Sequence, residues 1–194
     1  MSYIGRPGPS PVLASFFAAG LVQEQDRILD LGCGPGADTV ALAQWGCRDV
    51  TGIDLDRAAL GVARRRAAQV GVASRVRFVE ADALALGERF GAASFDAIWD
   101  GLLLNNLRGD DEEAHARFVA HAARRGGLLL LEFRITKRAY DKGDTEAAND
   151  ELRRWFDFGP PAATLIPERA ERKGLLPFAR VVVQVGERNG RRVR

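Results

Sequence analysis

Residues 27–36, RILDLGCGPG, constrain this chain more than any other stretch. Ile28, Leu29 and Leu31 form an apolar run too short for a helix, which reads as a buried strand. Gly32, Gly34 and Gly36 then stand at alternate positions and imply a sharp loop, and residues 38–45 have helical composition. Strand, glycine loop and helix in that order make a cradle, because missing side chains let backbone N–H groups approach a ligand in front of a helix N-terminus.

The rest of the chain repeats the alternation. Strands are expected at 49–54, ending in Asp54, at 76–79, followed by Glu80, Ala81 and Asp82, at 95–99, leading into Asp100 and Gly101, and at 128–133. The last of these is so uniformly apolar that it should be buried on both faces. Between them a helix runs from Asp56, its cap, to about Val70, with Leu60, Ala63, Ala67 and Val70 on one face and Gly71 as its stop. Another is capped by Asp110 or Asp111, carries Ala114, Phe118 and Ala122 on one face, and ends at Gly126-Gly127. Such a pattern implies a parallel sheet with right-handed crossovers and helices on both sides, and ligands bind such sheets at the carboxyl ends of the strands.

At 194 residues the chain fits one domain, 1–194, with one sizeable core. Residues 1–22 form an arm rich in glycine and proline and a short helix over 12–21, capped by Ser10 with Pro11 in its first turn. Residues 23–133 are the ligand-binding core, and 134–194 add a substrate-side insertion and a C-terminal hairpin. In that last part helices are expected at 145–158 and 167–173 and a strand at 178–185, and Asn189-Gly190 signals a tight turn before a short return strand at 191–194.

A formal net charge of +2 argues for neither nucleic acid nor membrane, and Arg64–Arg65–Arg66 and Arg188, Arg191, Arg192 and Arg194 read as solvated faces. Cys33 and Cys47 are the only cysteines, and with one inside the glycine loop a structural disulfide is not expected. With neither a secretion signal nor a membrane span in the sequence, the expected location is cytoplasmic.

The spacing G-x-G-x-G, with Asp30 two residues before the first glycine, departs from the dinucleotide fingerprint. A pyrophosphate is poorly served by that acid, whereas a ligand with an ammonium group is well served. S-adenosylmethionine has no phosphate and presents an amino-acid end, a sulfonium, a ribose and an adenine. Asp30 suits the amino-acid end, and the loop from Gly32 through Cys33 and Gly34 to Gly36 suits the methionine portion. Asp54 can accept both ribose hydroxyls, while Asp82 accepts from the adenine amino group and the Ala83 N–H donates to the ring.

With these residues the chain resembles the class I S-adenosylmethionine-dependent methyltransferases in their small single-domain form. The resemblance covers about residues 10–133 and rests on RILDLGCGPG, VTGIDLD, VRFVEADAL, FDAIWD and GGLLLLEF in that order. It implies a Rossmann-like α/β/α sandwich with a mostly parallel seven-stranded sheet, an antiparallel last strand, and methyl transfer that leaves S-adenosylhomocysteine. Carried over, Asp30, Gly32, Gly34, Asp54 and Asp82 become cofactor contacts, joined by Leu55 beside the ribose acid and by Asp100 with Gly101 after the fourth strand. FDAIWDGLLLNNL also resembles thiopurine-methyltransferase-like and tellurite-resistance-type enzymes, without the arginine those carry between the acid and the glycine.

No residue declares itself a catalytic base, and transfer from a sulfonium needs one only when the acceptor must lose a proton. His115 and His121 read as surface residues, and Tyr3, Arg6, Asn105, Asn106, Glu132, Arg134, Tyr140 and Trp155 lie on segments within reach of the cleft mouth. Metal-dependent catechol-type relatives of the resembled family place Asp-Asn where this chain has Glu132-Phe133, so no metal site is expected. Amine-methylating relatives carry an Asn/Asp-Pro-Pro-aromatic turn where this chain has Asp100-Gly101-Leu102-Leu103. A small-molecule acceptor is therefore expected, for a monomer or homodimer that binds neither nucleic acid nor membrane. Methylation of RNA or protein, and a non-catalytic S-adenosylmethionine-binding partner, are the alternatives.

Overall fold

The expected strands form and lie side by side in a computed structural model that describes residues 8–84, 90–134 and 178–185. β1 (Arg27–Leu31), β2 (Asp49–Asp54), β3 (Val76–Glu80), β4 (Phe95–Gly101), β5 (Ala123–Arg134) and β6 (Phe178–Gln184) make one sheet in the order β3-β2-β1-β4-β5-β6. β1 to β5 are parallel, and β6 runs antiparallel to β5. The described residues thus hold six strands where seven were expected, and the antiparallel one among them is the seven-residue β6. The return strand at 191–194, its turn, and the helices at 145–158 and 167–173 lie outside the described residues.

Period-two alternation decides which side chains go where. Ile28, Val50, Ala97, Trp99 and Leu130 face one side, against Val12, Leu13 and Phe16 of α1 (Pro11–Ala18) and Leu42 of α2 (Ala37–Gln44). Their neighbours Leu29, Leu31, Ile53, Ile98, Leu129 and Leu131 face the other, against Ala116, Phe118, Val119 and Ala122 of α4 (Asp110–Ala122). α3 (Arg57–Gln69) joins the α2 side through Ala67, which packs with Val40, Ala43 and Val72. Helices on both faces give the three-layer α/β/α arrangement, and each buried leucine or phenylalanine contributes about 1.5–3 kcal/mol. No helix among the described residues is long and apolar enough to cross a membrane.

The ends of the helices follow local chemistry. Ser10 accepts from the Val12 and Leu13 amides, with Pro11 in the first turn, although α1 stops at Ala18 rather than at 21. Asp56 caps α3 through the Ala58 and Ala59 amides, and Leu60, Ala63 and Ala67 are buried. Val70, expected on that face, instead occupies the C-cap and is 43% exposed. The expected cap on α4 is also corrected: Gly109, at φ +58°, occupies the N-cap, and Asp110 and Asp111 fall in the first turn, where they complement the helix dipole. Gly126 and Gly127 do not end α4. Ala123 is already extended, and Gly126, at φ +75°, lies inside β5 near a shift in its register with β4.

The sheet order puts β2 on one side of β1 and β4 on the other, so the winding reverses beside β1 and opens a crevice at the carboxyl ends of β1 and β4. The glycine loop lies there. Gly36 adopts φ +73°, and a Cβ on it would stand 2.6 Å from the Ala63 Cβ of α3. Gly36→Ala is therefore expected to cost about 1–3 kcal/mol from backbone strain and overpacking. Thermal unfolding checks this, and an unchanged Tm would refute it.

Candidate functional site

The three glycines of the loop do three different things. Gly32 (φ +66°) lies against Leu103, whose Cβ would be 3.5 Å from an added Cβ. Gly36 meets α3, as above. At Gly34 (φ +51°) an added Cβ would have nothing within 4 Å, so this is the glycine that turns its bare face outward. The Cys33 amide ties the loop to β2 by donating to the Ile53 carbonyl at 2.8 Å. The Gly34 amide donates to Asp54 Oδ2 at 2.7 Å, while Asp54 Oδ1 accepts from the Asp56 amide at 2.8 Å.

Asp54 and Asp82 both stay open at their strand ends. Asp54 is half-buried, and Asp82 is exposed, with its Oδ1 accepting from the Leu84 amide at 2.8 Å. The Ala81 amide donates to the Asp54 carbonyl at 3.1 Å and joins the two strand ends, and Ala83 is buried beside them. Leu55, next to Asp54, is 68% exposed, an apolar side chain held in the open at the rim. Asp54, Leu55, Asp82, Ala83 and the outward face of Gly34 are thus gathered at the carboxyl ends of β1, β2 and β3.

Other expected site residues are placed differently. Asp30 is 2% exposed, beneath the loop, and accepts from Thr39 Oγ1 of α2 at 2.5 Å. Burial, and after it the nearby Asp38, push its carboxyl well above the usual carboxylate range. Cys33 is buried, and that burial, together with the charge of Asp30, drives its thiol upward, away from the thiolate. Asp100 is fully buried: its Oδ1 accepts from the Leu103 amide at 2.7 Å, and its Oδ2 lies 2.8 Å from His115 Nε2. Gly101 backs onto the Trp99 indole, whose Nε1 would lie 3.0 Å from an added Cβ.

His115, read as a surface residue, is a correction: it is completely buried, while His121 is exposed as expected. The signal was present in the sequence. His115, Phe118, Val119 and Ala122 follow the i, i+3, i+4, i+7 spacing of the buried stripe of α4, a better match than the stripe through Ala114. A second polar cluster joins β4, β5, the N-cap of α1 and the first turn of α2. Ser10 Oγ donates to Glu132 Oε2 at 2.6 Å, the Ser10 amide donates to Asp38 Oδ1 at 2.6 Å, and Trp99 Nε1 donates to Asp38 Oδ2 at 2.9 Å. Asn106 Nδ2 donates to the Leu102 carbonyl at 3.0 Å. Gly52 was missed as well: a Cβ there would meet Thr39 Oγ1 at 2.8 Å and Cys33 Sγ at 2.9 Å, so the loop packs only over a glycine. Tyr3, Arg6, Tyr140 and Trp155 lie outside the described residues, as do the side chains of Phe133 and Arg134.

A family model described as a methyltransferase domain matches residues 28–127, from β1 into β5. The chain belongs to that family. It is a methyltransferase domain with a class I, Rossmann-like fold. The ribosomal protein L11 methyltransferase of Shewanella halifaxensis is 30% identical over 154 residues, which are 79% of this chain and 47% of that protein. The chain therefore spans about half the length of this curated relative. A protein solved in the context of converting a disulfide bond into a thioacetal group during echinomycin biosynthesis is 27% identical at a TM-score of 0.66, over 91% of this chain and 81% of that one. An S-adenosylmethionine-dependent methyltransferase from Mesorhizobium loti is 27% identical at a TM-score of 0.52, over 64% of this chain and 52% of that one.

The buried Asp30 has a consequence for stability. Its carboxyl is raised in the folded state, so folding favours the protonated form. The stability this contributes is complete below the ordinary carboxylate pKa of about 3.9 and is lost as pH rises toward the raised value. Asp30→Asn keeps the group neutral at every pH and is expected to flatten that loss. Denaturant unfolding from pH 4 to pH 8 checks it, and equal slopes for the variant and the parent would refute it.

Proposed function

We propose that this chain transfers a methyl group from S-adenosylmethionine to a small-molecule acceptor by direct in-line displacement, without a metal. The observation that carries the reading is the outward face of Gly34 beside the Asp54 carboxylate at the switch point of the sheet. In this reading Asp54 accepts from the ribose hydroxyls, Leu55 and Ala83 border the adenine, and Asp82 accepts from its amino group. Gly32, Cys33, Gly34 and Gly36 carry the backbone that lies along the methionine portion. Asp30 braces the loop from beneath by accepting from Thr39 at the amino-acid end, and Gly101 lines the end of β4. Asp100 acts through the turn it holds.

When bound, S-adenosylmethionine supplies a methyl on a sulfonium whose leaving group is neutral. The residues need then only align the donor, exclude water and admit an acceptor. Glu132 supports the metal-free reading, since its Oε2 already accepts from Ser10 at 2.6 Å and the side chain is 5% exposed. The echinomycin-pathway structure, matched over 81% of its length, supports a small acceptor. A protein acceptor is the second reading, favoured by the L11 methyltransferase relative. A cytoplasmic setting belongs to the same proposal and is supported by two free, buried cysteines.

The acceptor is tested by following release of S-adenosylhomocysteine with a panel of thiols, phenols and amines, and in parallel with ribosomal protein L11. Turnover of a panel member supports the first reading, and turnover of L11 alone overturns it in favour of the second. For the donor, Asp54→Ala is expected to weaken S-adenosylhomocysteine binding by about tenfold or more, the loss of charge-assisted hydrogen bonds to two hydroxyls. Gly34→Val, which puts a branched side chain on the outward face of the loop, is expected to abolish binding. Calorimetry reads both, and unchanged affinity in folded variants would refute the placement.

A further inference from the structure

Leu102, immediately after β4, has φ +84°, a left-handed backbone that a leucine adopts only when its surroundings impose it. The surroundings are explicit. Asp100 Oδ1 accepts from the Leu103 amide at 2.7 Å, Asp100 Oδ2 lies 3.2 Å from the Leu104 amide, and Asn106 Nδ2 donates to the Leu102 carbonyl at 3.0 Å. Behind the carboxylate stands His115 of α4, with Nε2 2.8 Å from Asp100 Oδ2 and both side chains fully buried. The far side of this turn is Leu103, which lies against Gly32 at the start of the glycine loop.

We propose that His115 and Asp100 are positioning residues for the methyl-donor site. The imidazole orients the carboxylate, the carboxylate holds the Leu103 and Leu104 amides and keeps Leu102 left-handed, and the turn so held sets Leu103 against Gly32. The pair touches neither donor nor acceptor. It sets where the first residue of the glycine loop sits, so α4, on the face of the sheet opposite α2, takes part in donor binding. The inference rests on the donor reading proposed above.

A core that only needed filling would be served by a leucine at position 115, where the neighbours on α4 are Phe118, Val119 and Ala122. A buried imidazole 2.8 Å from a buried carboxylate instead favours one orientation of that carboxylate, at the cost of desolvating both groups. Strain at Leu102 and specification at Asp100 meet on the same turn, and that turn touches the loop.

The test uses S-adenosylhomocysteine as the probe. In the intact protein the ring resonances of His115 and His121 are the only imidazole signals. Titration is expected to shift that of His115 and leave that of the exposed His121 in place. His115→Leu is expected to weaken binding by about tenfold, the scale of a lost buried polar contact, and His115→Gln, which keeps a side-chain N–H, to restore most of it. A folded His115→Leu that binds like the parent, with an unmoved His115 signal, would overturn the positioning role while leaving the donor site intact. If His115→Leu does not fold, amide exchange in the unaltered protein decides: joint protection of Leu103, Leu104 and the glycine loop on binding supports the role, and protection of the loop alone overturns it. A parent that binds no S-adenosylhomocysteine overturns the donor reading itself, and this inference with it.

Discussion

The hydrogen bond from the Gly34 amide to the Asp54 carboxylate, 2.7 Å long, is the interaction on which the site depends. It joins the loop after β1 to the end of β2, at a residue in the left-handed region that glycine adopts without steric cost. The second oxygen of Asp54 accepts from the amide of Asp56, the residue that caps α3. One carboxylate therefore sets the position of the loop, the start of a helix and the acceptor surface left for a ligand.

The acids at the strand ends divide into two kinds. On the strands at the centre of the sheet and next to β6, the acid at the carboxyl end is buried and meets a polar group of a neighbouring helix or its cap: Asp30 of β1 accepts from Thr39, Glu132 of β5 accepts from Ser10, and Asp100 of β4 has His115 Nε2 2.8 Å from its Oδ2. At the end of β2 and just after β3, Asp54 and Asp82 accept, among the described residues, from nearby backbone amides. Burial without a partner costs several times what a satisfied hydrogen bond returns, so the helices on both faces must carry those donors. In the proposed reading the exposed acids mark the side on which adenosine lies, and the buried ones build the wall behind it.

Most of this architecture was legible in the sequence. β1, β2 and the glycine loop follow from apolar runs and glycine spacing, and both Ser10 and Asp56 act as the caps their residue types suggest. What was not legible depended on partners distant in sequence. Asp100 was expected near the ligand through the resemblance, and only the fold shows His115 Nε2 2.8 Å from its Oδ2. His115 looked like a surface residue because it stands six residues from His121 and shares no clean helix face with it, although the spacing of its apolar neighbours pointed inward. The glycines at 126 and 127 carried the local signature of a helix stop, and the pairing of β5 with β4 from Ala123 onward overrode it.

Gly52, Thr39 and Cys33 together restrict how the chain can drift. Any side chain at position 52 would collide with Thr39 Oγ1 at 2.8 Å and Cys33 Sγ at 2.9 Å. A larger residue at position 52 therefore needs both neighbours to give way, because a smaller residue at position 33 alone leaves the Thr39 hydroxyl in place. Thr39 is also the hydroxyl that satisfies Asp30. Shrinking it to glycine or alanine would strand a buried acid, so the acid beneath the loop holds position 52 to glycine through Thr39. Lineages descended from such a chain would record this as a linked set: glycine at 52 wherever the acid at 30 and the threonine at 39 are both kept.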